Sequence, residues 1–204
     1  MKLVAPDWRA ATAMLLLAVM LSACGRPAPT APPPPPSEVS DEATGYYCGM
    51  LLVDHAGPKG QIHLASRDTP LWFSSVRDTI AFLRLPEESR DIVAVYVNDM
   101  GKARNWDQPE AGAWVDAHAA WFVVDSAMRG GMGANEAVPF AARADADAFR
   151  DRHGGQVVRL DAIPDDYVLG PVELAPPSMD AESGMPAEAA GHEHPTDADG
   201  HPDH

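Results

Sequence analysis

Basic residues and cysteine are scarce in this chain. Its 204 residues carry 15 Lys and Arg against 30 Asp and Glu, a formal charge of −15. So acidic a chain repels polyanions, which excludes nucleic acid as a partner. Two cysteines, Cys24 and Cys48, are too few for a disulfide framework or for a zinc site built from cysteine alone. No apolar run approaches the roughly 20 residues of a membrane-spanning helix.

The longest apolar run, Ala10 to Val19, follows Lys2 and Arg9 and leads into Leu21-Ser22-Ala23-Cys24. A short apolar stretch after basic residues, ending in small residues, reads as a cleaved secretory leader. Cysteine after Leu-Ser-Ala resembles a bacterial lipobox, which implies cleavage after residue 23 and acylation of Cys24. Gly25 stands where aspartate marks inner-membrane retention in many Gram-negative bacteria, so a periplasm-facing outer-membrane address is favoured. Cys48 is then the one free thiol in an oxidising compartment, without an intramolecular partner.

The remaining chain divides by composition. Seven prolines fall in the ten residues Pro27 to Pro36. They favour an extended polyproline segment, and residues 24–44 read as a tether on the order of 40–60 Å long. Past Pro177 there is no Lys or Arg, but seven acidic residues and four histidines, His192, His194, His201 and His204. Residues 175–204 thus read as an acidic, His-bearing tail too polar to fold alone. The folded part is expected over Gly45 to Glu173, where 12 bases face 19 acids.

Within it one pattern occurs twice. Phe73-Ser74-Ser75-Val76-Arg77-Asp78 with Ala81-Phe82 recurs 67 residues later as Phe140-Ala141-Ala142-Arg143-Ala144-Asp145 with Ala148-Phe149. Val53-Asp54 matches Val124-Asp125 at an offset of 71. The expected fold is α+β, two similar ββαβ units over residues 45–110 and 111–174. In the first, Cys48 to Val53 and Gln61 to Leu64 are early strands, and Ser74 or Ser75 caps a helix presenting Val76, Ile80 and Leu83. Ile92 to Val97 is a buried strand. In the second, Trp121 to Val124 opens, Ala142 to His153 is helical, and Gln156 to Leu160 closes.

Cys48-Gly49-Met50 carries the chemistry. In an extended segment, residues i and i+2 share a face, so thiolate and thioether project together. Both are soft donors that select Cu(I) over Mg, Ca or Mn. His55 and His63 flank the turn Gly57-Pro58-Lys59-Gly60, either one a candidate third ligand, with Asp54 available to orient a ring. The Gly-rich loop Met128-Arg129-Gly130-Gly131-Met132-Gly133 offers a second thioether. Met132, lacking packing support among glycines, is favoured over Met128. A ligand from each half puts the metal between the halves. Packed interiors also hold Cys and Met, so the dipeptide spacing alone decides nothing.

Cys48-Gly49-Met50 with Asp54-His55-x-Gly57-Pro58-Lys59-x-Gln61-Ile62, Gly131-Met132-Gly133 with Glu136-Ala137-Val138-Pro139-Phe140, and the helix end His153-Gly154-Gly155 resemble the NosL family. The resemblance implies a pair of ββαβ domains and a non-enzymatic copper chaperone binding Cu(I). It also implies a periplasmic client, apo nitrous-oxide reductase with its copper–sulfide centre, alongside other copper-delivery components. Cys48 and Met50 fall on the family's more distinctive motif and Met132 on a looser one. The competing readings are a thiol-dependent enzyme of organomercurial-lyase-like type and a non-catalytic envelope interaction lipoprotein. No second core thiol supports the first, and the second leaves the soft-residue clustering accidental.

Overall fold

The computed structural model describes residues 32–107, 109 and 111–172. The leader, Cys24 and the His-bearing tail lie outside the described residues. The first unit comprises β1 (Gly60–Leu64), β2 (Leu71–Phe73), α1 (Val76–Arg84) and β3 (Ile92–Asn98), joined by β4 (Trp114–Asp116). The second comprises β5 (Trp121–Val124), β6 (Val138–Phe140), α2 (Arg143–His153) and β7 (Gln156–Arg159), followed by the short α3 (Asp165–Leu169). Two antiparallel sheets result, with orders β2-β1-β3-β4 and β6-β5-β7. Each unit is ββαβ with its first strand central, and the 67-residue offset superimposes β2 on β6 and α1 on α2.

Of the two candidate caps, Ser75 starts α1, its Oγ accepting from the Asp78 N–H at 3.0 Å. The buried face of α1 carries Val76, Ile80 and Phe82, with Leu83 only partly buried. Phe73, Phe82, Phe122 and Phe140 are buried completely, each contributing roughly 1.5–3 kcal/mol of apolar transfer free energy. Strand alternation welds the units together. Phe122 and Val124 of β5 enter the cluster built on Ile62, Phe73, Val76 and Val95, while Val123 between them enters a second cluster with Met100, Phe140 and Phe149. The two units share a core, so neither can unfold without exposing part of the other's.

Three sequence expectations need correction. Cys48 to Val53 is not a strand: the chain turns at Gly49, whose φ is +65°, and then forms one 3₁₀ turn, Leu52–Asp54. The counterpart of β5 is therefore β1, and the match of Val53-Asp54 with Val124-Asp125 is not a structural equivalence. A boundary at residue 110 also fails, because β4 pairs with β3, Val97 opposite Val115. Finally, the polyproline segment does not run free to residue 44. The Pro34 carbonyl accepts from Tyr96 Oη at 2.7 Å, and Ser37 exchanges two hydrogen bonds with the Gln61 amide, 2.8 and 2.9 Å. This strap covers the outer face of β1, which explains how Gln61 and His63 come to be buried on a strand whose other face is already core.

Candidate metal centre

The Cys48 loop is built by local hydrogen bonds. Gly45 N–H donates to the Met50 carbonyl at 2.9 Å, and Gly49 N–H to the Gly45 carbonyl at 2.8 Å. The left-handed φ at Gly49 is accessible to glycine at no cost. Tyr46 N–H donates to the Trp72 carbonyl of β2 at 2.7 Å, and the Tyr46 and Tyr47 rings both pack on Phe73, so aromatic contacts seat the loop on the core. The half-buried Cys48 Sγ stands 3.6 Å from Ser74 Oγ and 3.9 Å from His55 Nε2.

His55 is buried, and its backbone is pinned from below. The buried Lys59 ammonium donates to the carbonyls of His55 at 2.7 Å and Gly57 at 2.6 Å. Desolvation lowers Lys59 to about 8, against the attraction of Glu136.

The facing wall belongs to the second unit. A bridge between Arg129 and Asn135 closes the loop, within which Gly130 N–H donates to the Ala134 carbonyl and Gly133 N–H to the Gly130 carbonyl. Gly131 lies against the other unit: a Cβ there would sit 2.6 Å from His55 Cβ and 2.9 Å from the Ala56 carbonyl oxygen. Below it Glu136 is wholly buried. Its Oε1 accepts from the N–H groups of Arg77 at 3.0 Å and Ala137 at 2.9 Å, while Oε2 has no partner. Burial pushes this carboxyl up to about 8, although the two N–H groups pull it down. Asp78 is raised by the same desolvation, partly offset by its bonds to the Ser75 cap. Between the walls lies a cleft of about 490 Å³ lined by Cys48, Met132, Asp78, Glu136 and the chain exit at Gly170 and Val172.

A family model described as NosL matches residues 36–168 of this chain. The chain belongs to the NosL family. A copper-binding lipoprotein NosL of Achromobacter cycloclastes is 52% identical over 139 residues, 68% of this chain and 72% of that protein. One of Stutzerimonas stutzeri is 34% identical over 149 residues, 73% and 76% of the two chains. The crystal structure of the copper chaperone NosL from Shewanella denitrificans shares this fold with a TM-score of 0.60 at 34% identity, covering 65% of this chain and 97% of that one.

In this NosL-family chain the candidate ligands separate clearly. Cys48 and Met132 face one cleft. Met50 follows Cys48 on the same turn and is 45% exposed, but it does not line that cleft; Met132 is 48% exposed. Met128 instead packs against the second core cluster. His55 comes to the thiol, whereas His63 does not: its Nε2 bonds Gln61 Oε1 at 2.8 Å and its ring meets the edge of Tyr96. Asp54 is exposed. Three participants had no role at the site in the sequence reading: Lys59, Glu136, and Ser74, which was read only as a candidate helix cap. A charged residue set inside an apolar run, as Glu136 is before Ala137-Val138-Pro139-Phe140, was the available signal.

The close approach of Gly131 gives a direct expectation. Gly131→Ala must push the Met132 loop off His55 and should cost ~1–3 kcal/mol, as overpacking does. Urea unfolding of the metal-free protein measures this, and a change under 0.5 kcal/mol would show that the contact is looser than its geometry.

Proposed function

We propose that this protein is a lipid-anchored, periplasm-facing copper carrier that holds Cu(I) at Cys48, Met50 and Met132. It delivers the ion to apo nitrous-oxide reductase for assembly of the copper–sulfide centre. The observation that carries this reading is the meeting of Cys48 and Met132, from separate units, across one open cleft. A thiolate and two thioethers form a soft donor set that prefers Cu(I) and offers little to hard cations. Binding releases the thiol proton, so affinity falls as pH falls.

Exposure suits transfer. With both thioethers nearly half exposed, a client ligand can join the copper before a carrier ligand leaves. His55, 3.9 Å from the sulfur, either adds an imidazole or fixes the thiol's position. The domain's excess of acids over bases favours encounter with a basic face on the client or on other copper-delivery components. Acylation of Cys24 supplies the anchor. Among the described residues no helix is long and apolar enough to cross a membrane.

Cells lacking this protein, grown under copper limitation, are expected to make nitrous-oxide reductase deficient in copper at its copper–sulfide centre. Metal analysis of the purified enzyme decides the matter, since a full copper complement would remove this client from the proposal.

A further inference from the structure

His55 stands between two surroundings. Its Nε2 lies 3.9 Å from Cys48 Sγ. His55 also lines a cavity of about 350 Å³, together with Leu52, Lys59, Asn98 and Trp114. An imidazole that turned into that space would leave the thiol, so its place beside the sulfur needs a restraint.

The restraint is on its backbone. Lys59 is buried, and both of its ammonium hydrogen bonds among the described residues go to one turn, 2.7 Å to the His55 carbonyl and 2.6 Å to the Gly57 carbonyl. Hydrogen bonds from an ionised donor are roughly twice as strong as neutral ones. Burying that charge is costly, and what it secures here is the shape of the turn. The base of Lys59 is itself fixed at the end of β3. Its N–H donates to Asn98 Oδ1 at 2.7 Å, and its carbonyl accepts from the Asn98 N–H at 3.0 Å. The frame is completed by the His55 N–H, which donates to the Leu52 carbonyl at 3.1 Å, and by Gly131 closing on His55 Cβ from the other unit.

The spacing so fixed suits a shared metal ion. With metal–sulfur and metal–imidazole bonds of about 2.3 and 2.0 Å, as at zinc, a separation of 3.9 Å corresponds to a sulfur–metal–nitrogen angle of about 130°. That is near the trigonal value, so an ion can enter between Sγ and Nε2 with the backbone where it is.

We propose that Lys59 is the positioning residue of the copper site: its ammonium holds the His55 turn so that the imidazole faces Cys48 and joins the thiolate in binding Cu(I). The proposal rests on the copper-carrier reading above. Lys59 acts through the His55 backbone, as the outer partners that orient ligands do at other metal sites.

The test is a cycle of four mature chains: the unaltered one, Lys59→Met, which keeps the stem and removes the donors, His55→Ala, and the two substitutions together. In anaerobic competition with a Cu(I) chelator, Lys59→Met should bind roughly 10–100-fold more weakly, and the double variant no more weakly than His55→Ala alone. Unchanged affinity in Lys59→Met would overturn the proposal. Losses that multiply in the double variant would overturn it too, because a purely structural role acts independently of His55. Copper X-ray absorption of the unaltered complex should contain one nitrogen scatterer that both single variants lose. A nitrogen that survives in His55→Ala, or none from the outset, would remove His55 from the site and the role of Lys59 with it. Should Lys59→Met fail to fold, Lys59→Gln, whose shorter amide keeps a donor, enters the same cycle and the same outcomes decide. Absence of Cu(I) binding by the unaltered chain would sink the carrier reading itself, a result distinct from tight binding that ignores Lys59.

Discussion

Cys48→Ala should abolish tight Cu(I) binding. Loss of an outer-sphere partner costs a metal site roughly 10–100-fold in affinity. Removing the thiolate takes away the one anionic soft donor among the described residues and should cost more than that range. Met50→Ala and Met132→Ala each leave the thiolate and one thioether, so a smaller loss is expected. Anaerobic titration against a Cu(I) chelator ranks the three. Unchanged affinity in the Cys48→Ala protein would refute the carrier reading outright. An inverted ranking, with Met132→Ala the more damaging, would place the centre of the site in the second unit. Because Cys48 sits on a surface turn, its substitution should leave the fold intact, and the metal-free unfolding transition provides the control.

Glu136→Gln is the substitution expected to change stability most, and its effect depends on pH. The folded carboxyl titrates at about 8 against an ordinary 4.5. Between those values the folded state holds a proton that the unfolded state has released, so stability falls as pH rises from about 5 to 8. Each pKa unit is worth about 1.4 kcal/mol, which makes the loss on the order of a few kcal/mol. Lys59 acts in the opposite sense. It titrates at about 8 when folded and at 10.5 otherwise, so above pH 8 the unfolded state holds the extra proton and stability recovers. A minimum near pH 8 is the expected profile. Glutamine preserves the acceptor for the Arg77 and Ala137 N–H groups and carries no titration, so the variant should lose the slope between pH 5 and 8. The comparison also isolates this carboxyl from His63, whose burial lowers it. Urea unfolding across that range tests the point; parallel slopes in the two proteins would show that Glu136 is ionised in the fold.

Sequence periodicity revealed the units but not their seam. The helix capped by Ser75, the apolar run of β3 and the helix that ends before Gly154 are set by local chemistry, and each lies where its pattern placed it. The Cys48 loop was misread because an apolar stretch, Leu51 to Val53, resembles a strand. The deciding element was Gly49, whose positive φ reverses the chain. No local signal says that Trp114–Asp116 returns to pair with β3 rather than open the second unit. That choice is made by the pairing available at an exposed sheet edge.

At the candidate site, the glycine setting set Met132 apart from Met128 in the sequence; in the structure Met132 lines the cleft and Met128, partly buried, packs against the second core cluster. The two histidines were not distinguishable. Whether His55 or His63 meets the thiol depends on strand alternation and on the strap that claims His63's face, and both are long-range facts. Glu136 was legible as a residue and illegible as a role, because its burial comes from α1 of the other unit closing over it.

The strap from Pro34 to Ala43 also decides how the molecule bears load. Tension arriving through the chain from a membrane attachment meets the Pro34–Tyr96 contact and the paired Ser37–Gln61 bonds first. Those bonds would have to part before any strain reached Thr44 and the turn that carries Cys48. Under the anchoring proposed above, the strap is a brace: load entering at Pro34 falls on these bonds before it reaches the turn that carries Cys48.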